Sequence, residues 1–166
     1  LLVWEDFMFA CAVYDLTDAF EANLRAEFID NIRRLRNHPS LGLWCGNNEM
    51  ESAWDGWGLP KNEKLRQDYL YLYERMIPDI LAKEDPDRFY WPSSPSSGGG
   101  FEEPSSEDRG DAHYWDVWHG RKPFEDVEKK YFRFFSEYGF VSLPAKSTLR
   151  KVIDEDQFNI VSPQME

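Results

Sequence analysis

At 166 residues, with 19 Lys and Arg against 31 Asp and Glu, the chain has room for one domain with a real core and carries a net charge of −12. That balance argues against a nucleic-acid or anionic-membrane partner. Seven Trp, eight Tyr and twelve Phe fit either a large core or a pocket lined by aromatic faces. Cys11 and Cys45 both lie in apolar runs and read as buried free thiols, not a disulfide framework. No apolar run approaches the length of a membrane span, and no signal peptide is visible.

In chain order, Leu1 to Glu5 reads as a strand already in progress at the first residue, which suggests an internal fragment of a longer protein. An aromatic loop follows. Thr17 or Asp18 can cap a helix running to about Arg36, whose buried face is marked by Phe20, Leu24, Phe28, Ile32 and Leu35. Glu21 with Arg25 and Asp30 with Arg34 are i,i+4 pairs on its outer side. After Pro39, the run Ser40 to Cys45 reads as a buried strand, completing a strand–helix–strand unit of the kind that builds parallel sheets.

Gly46-Asn47-Asn48 then breaks the apolar run, and Glu49 follows. Such a strand end either presents its side chains to a pocket, as in a (β/α) barrel, or merely caps the next helix. A loop rich in Trp and Gly spans Trp54 to Pro60, and a helix is expected over about Asn62 to Met76, interrupted near Pro78. Arg88 to Trp91 is the next strand. The segment Pro92 to Gly110, rich in Ser, Gly, Pro and acids, is expected to be an exposed, mobile rim of a pocket. Ala112 to Trp118 reads as a fourth strand, Pro123 opens a short helix to about Phe132, and Phe134 to Phe140 carries the last strand. A final helical turn is expected near Leu149 to Ile153.

Glu49 and Glu137 each follow an apolar strand, and residues so placed converge in a parallel barrel. Two converging carboxyl groups are what glycoside hydrolysis requires, one to protonate the leaving oxygen and one to attack or to activate water. Mutual repulsion would hold their pKa values apart, raising that of the acid.

The segments surrounding these residues resemble glycoside hydrolase family 2, in its β-mannosidase branch. Arg33-Arg34-Leu35-Arg36-Asn37-His38-Pro39-Ser40-Leu41, running into Trp44-Cys45-Gly46-Asn47-Asn48-Glu49, is similar to the family's fourth-strand signature. Val3 to Ala10 resembles the third strand, Tyr90 to Pro95 the fifth, His113 to Gly120 the sixth and Arg133 to Phe140 the seventh. The fold class so implied is α/β, a partial (β/α)8 TIM barrel holding about the third to seventh strands, with residues 1–166 a fragment of one catalytic domain. The second-strand Trp-Gly-Gly-Gly region, the eighth strand and the accessory β-sandwich domains would lie outside it, so the isolated segment is expected to be inactive.

The resemblance implies a retaining exo-hydrolase of terminal β-D-mannosyl residues, with Glu49 as acid/base and Glu137 as nucleophile. It further implies Asn48 at the sugar 2-hydroxyl, His119 beside the nucleophile, and Trp57 or Trp54 walling the sugar subsite, with Trp118 a lesser candidate. Trp4 and Trp115 read as core. The partner would be a β-mannoside oligosaccharide or glycan, without metal, cofactor, nucleic acid or membrane. The protein would be soluble, cytoplasmic or periplasmic in a bacterium and lysosomal in an animal. An exo-β-glucosaminidase, an endo-β-mannosidase or a non-catalytic carbohydrate-binding relative shares the scaffold; Glu at position 49 speaks against the first, whose branch tends to carry Asp as the acid, and retention of both Glu residues against the last.

Overall fold

The computed structural model describes residues 1–140 and 143–165. Strand β1 (Val3–Asp6) is followed by helix α1 (Asp18–Leu35) and strand β2 (Leu41–Cys45). Helix α2 (Met50–Gly56) comes next, then α3 (Glu63–Tyr71), a π-helical turn (Leu72–Met76) and α4 (Ile77–Glu84). Strands β3 (Phe89–Trp91), β4 (Ala112–Tyr114) and β5 (Phe135–Tyr138) complete the sheets, with a 3-10 turn at Phe124–Lys129 before β5 and a short α5 (Lys146–Leu149) after it. All pairings are parallel: β1-β2-β3 form one sheet and β4-β5 another. The expected strand order is therefore present, but among the described residues as two sheets, not one continuous arc.

Helix α1 forms where its periodicity placed it. Thr17 accepts the Phe20 backbone N–H at 3.3 Å, and Leu24, Phe28 and Ile32 are fully buried. The Glu21–Arg25 pair closes at 2.7 Å, whereas Arg34 bonds Asn31 at 2.7 Å and not Asp30. The buried face meets Phe7, Phe9 and Trp44 on one side and Tyr73, Met76, Ile77 and Ile80 on the other. Rings of Phe7 and Trp44 stack at 5.3 Å, so the core between sheet and helices is largely aromatic. Burying side chains of this size is the main drive for docking the helices on the sheet.

Pro78 does not interrupt the helix at this point. Five residues before α4 wind as a π-turn, and the wider spacing accommodates the proline ring that would otherwise clash with the preceding turn. The strand at Ala112 stops at Tyr114, shorter than expected, and residues 116–119 form a turn. The helix expected from Pro123 is only the 3-10 turn. The 92–110 segment is not an exposed rim throughout: Ser93, Ser94, Pro95 and Ser96 are buried, and exposed positions begin only at Gly98.

Candidate active site

Beyond Cys45 the chain continues as a bridge between its two neighbours. Asn48 pairs with Ala10 on one side and Ser94 on the other, and the Glu49 N–H donates to the Ser94 carbonyl at 2.6 Å. Gly46 is required for this close approach, since a Cβ there would lie 2.2 Å from the Pro92 carbonyl oxygen. Glu49 then adopts a left-handed conformation (φ 61°), an unfavourable one for a residue with a side chain, and helix α2 begins immediately after it.

The helix-cap reading of Asn48 and Glu49 is thus half right. A helix does follow, but the capping side chain is that of Asn47, whose Oδ1 accepts the Met50 N–H at 3.2 Å. Asn47 is fully buried, and its amide donates to the Pro92 carbonyl at 3.0 Å while Oδ1 also accepts the Ser93 hydroxyl at 2.7 Å. Relieved of capping, the Glu49 carboxyl is free to project into a cavity of about 640 Å³.

Glu137 reaches the same cavity from β5, where it pairs in register with His113 of β4. His113 Nδ1 lies 2.8 Å from Glu49 Oε1 and 3.6 Å from Glu137 Oε2, and one oxygen of each carboxylate falls within 4.8 Å of the other. The Glu137 Oε1 also accepts the Trp115 indole N–H at 2.8 Å. Of the two side chains His113 is the more enclosed, at 5% exposure against 14% for Glu49.

The hydrogen bond shared with His113 holds the Glu49 carboxyl below its ordinary pKa, against the desolvation of its half-buried position. This reverses the expectation that repulsion from Glu137 would raise it, because an imidazole stands between the two carboxylates. Cys11, expected to be buried, is exposed beside the site: desolvation of its sulfur, together with Glu49 Oε2 at 3.4 Å, pushes the thiol pKa up.

Glu49, Glu137, Trp57 and His119 line one cavity, together with Ser52, Ser105, His113 and Trp115. Asn48 stands beside it, its amide 3.6 Å from the Cys11 sulfur. Trp54 faces elsewhere, packing on Phe101 at 5.2 Å, and Trp118 stacks edge-on against Phe140 at 5.0 Å in a neighbouring cleft. Trp115, read from sequence as core, is a wall of the site. His113 was missed altogether. The signal was available, since Trp115, just past β4, is two residues from His113, and alternate residues of an extended segment share a face.

No family model matches the chain. It is 34% identical over 166 residues to β-mannosidase B of Neosartorya fischeri, covering 94% of this chain and 19% of that protein. With β-mannosidase of Capra hircus the identity is 37% over 173 residues, covering 98% and 20%. The crystal structure of β-D-mannosidase from Dictyoglomus thermophilum superposes with a TM-score of 0.83 at 40% identity, across 99% of this chain and 20% of that one. The chain therefore spans about a fifth of the length of the relatives it matches.

Over nearly its whole length the chain is therefore similar to one segment of these β-mannosidases.

Proposed function

We propose that the protein carrying this chain hydrolyses terminal β-D-mannosyl residues of a glycan with retention of configuration. Glu49 is the acid/base and Glu137 the nucleophile. The observation that carries the reading is the convergence of the two carboxylates, from the C-terminal ends of parallel strands, on one cavity with one oxygen of each within 4.8 Å of the other. Retaining enzymes hold their carboxyl groups about 5–5.5 Å apart, whereas inverting ones separate them by about 6.5–9.5 Å to admit a water. We read the two sheets as arcs of one (β/α)8 barrel, roughly its third to seventh strands, and residues 1–166 as part of its catalytic domain.

In the first step a Glu137 oxygen attacks the anomeric carbon while Glu49 gives its proton to the glycosidic oxygen, which leaves with the bonding pair. In the second, Glu49 takes a proton from water as the water oxygen displaces Glu137. The indole N–H of Trp115 donates to Glu137 Oε1 at 2.8 Å and holds the carboxylate in place. Trp57, 49% exposed on the cavity wall, offers the sugar a flat apolar face. Asn48 is proposed at the 2-hydroxyl and His119 at the rim, with Trp54 and Trp118 outside the first sugar subsite.

The test uses the full-length enzyme and a pair of β-mannosides, one aryl with an activated leaving group and one alkyl. Glu49→Ala should lose about 10²- to 10⁴-fold on the alkyl substrate and far less on the aryl one, whose departure needs little protonation. Azide should rescue that variant on the aryl substrate and give a β-configured product. Glu137→Ala should be nearly inactive on both. An α-configured azide product from Glu49→Ala would reverse the two roles, and no turnover of any β-mannoside by the intact enzyme would reject the substrate class.

A further inference from the structure

We infer that Asp111 and Ser94 are positioning residues that fix the tautomer of His113, so that His113 Nδ1 and Glu49 Oε1 hold one proton between them. The inference rests on the assignment of Glu49 as acid/base and concerns how that acid keeps its proton.

Asp111 is 3% exposed and is met by four donors. Its Oδ1 takes the Trp91 indole N–H at 2.7 Å and the Ser96 backbone N–H at 2.9 Å. Its Oδ2 faces the hydroxyls of Ser94 at 2.7 Å and Ser136 at 2.5 Å. The Ser94 oxygen also lies 2.9 Å from His113 Nε2, but a hydroxyl has a single hydrogen. A bond to a buried carboxylate is charge-assisted and stronger than one to a neutral ring nitrogen, and here it is also the shorter, so that hydrogen goes to Asp111. Ser94 is then an acceptor toward His113, and Nε2 must carry a hydrogen.

Neutral His113 is left with a lone pair on Nδ1, facing Glu49 Oε1 at 2.8 Å. Two acceptors at that distance repel unless a proton lies between them. The pair therefore retains one, either as carboxylic acid and imidazole or as carboxylate and imidazolium. Glycosidic cleavage draws that proton through Oε1 to the leaving oxygen, and water returns it in the second step. This reconciles a carboxyl that His113 makes more acidic with its duty as a proton donor: the proton lost from Glu49 is kept by its neighbour. The opposite tautomer would put a fixed hydrogen on Nδ1 and leave Glu49 a bare anion.

Asp111→Asn separates the two. The amide oxygen stays with the two fixed N–H donors, so the NH₂ group faces Ser94 and donates to it. The Ser94 hydrogen must then turn to His113 Nε2, which drives the ring to the Nδ1–H tautomer. In the full-length enzyme, kcat/KM for the alkyl β-mannoside should fall about 100-fold or more, and for the activated aryl β-mannoside by less than about 5-fold. The basic limb of the alkyl pH profile should move to lower pH, because the carboxylate alone now holds the acid proton. Equal losses on both substrates with an unmoved profile would overturn the inference and leave Asp111 a structural residue. If that variant does not fold, Ser94→Ala decides by the same ratio, and Ser94→Thr, which keeps the hydroxyl, should restore it; a ratio unchanged in Ser94→Ala also overturns the inference. Glu49→Ala insensitive to the leaving group would instead reject the acid assignment itself, independently of Asp111.

Discussion

On the first turn of α2, two residues past the proposed acid, Glu51 is fully buried. Its Oε1 accepts the Tyr69 hydroxyl at 3.0 Å, but Oε2 has no hydrogen-bond partner among the described residues. Burial, opposed only partly by hydrogen bonding, pushes its carboxyl pKa up to about 7. A raised folded-state pKa means that the native state binds the proton more tightly than the unfolded chain. The linked stability is therefore fully present below the unfolded value of about 4.3 and is lost as pH rises through 7. Glu51→Gln removes the dependence by removing the charge. Its unfolding free energy should gain on the parent as pH rises from 5 to 8, by at most about 3 kcal/mol in denaturant unfolding. A difference that stays constant over that range would show that the carboxyl ionises without cost. Glu51 could be noticed in the sequence only as one acid among many, because its burial depends on Tyr69 and Phe101 arriving from elsewhere. Glu49 and Glu137 were legible because each sits at a strand end, where the address follows from the strand itself.

Among the elements, the joint most dependent on a single side chain is where α1, β2 and β3 meet. The Arg88 guanidinium, 19% exposed, donates to Asp85 at 2.6 Å, to the Arg36 carbonyl at 2.7 Å and to the Leu41 carbonyl. It thereby satisfies carbonyls at the end of α1 and the start of β2, while Asp85 also receives the Trp44 indole at 2.9 Å. Arg88→Met keeps the apolar stem and strands those acceptors. We expect a loss of about 3 kcal/mol in denaturant unfolding, and a loss below about 1 kcal/mol would make the cluster ornamental. Helix α1 and strands β1 to β3 were readable because periodicity and caps are local signals. Helix α2 was not, because Gly56 and two tryptophans mask a seven-residue helix whose cap, Asn47, is inherited from the strand before it. The continuity past Pro78 was hidden for a different reason: a π-turn leaves no mark in residue spacing that differs from an ordinary helix.

At the scale of the whole molecule, the strand order could be read but the break between the two sheets could not. Trp91, Ser94 and Asp111 join β3 to the β4–β5 pair through side chains, and such links leave no periodic trace in a sequence. Polar groups cluster at the C-terminal ends of the strands, around Glu49, His113 and Glu137. The other end is apolar. There Leu2, Val3, Trp4, Leu43, Phe89, Trp91 and Phe134 surround an open cavity of about 580 Å³. Phe89 is 59% exposed and Phe134 53%, and β1 and β3 are each paired on one side only within their sheet. An apolar patch of this kind, flanked by strand edges, is a site for association. A net charge of −12 slows encounter between copies at low salt, but screening shortens that protection to about 8 Å at physiological ionic strength. The chain by itself should therefore bind 1-anilinonaphthalene-8-sulfonate and form larger species as salt is raised. Phe89→Lys with Phe134→Lys should suppress both, since neither ring belongs to the packed core. Dye binding unchanged in the double variant would mean that the apolar surface being sensed lies elsewhere.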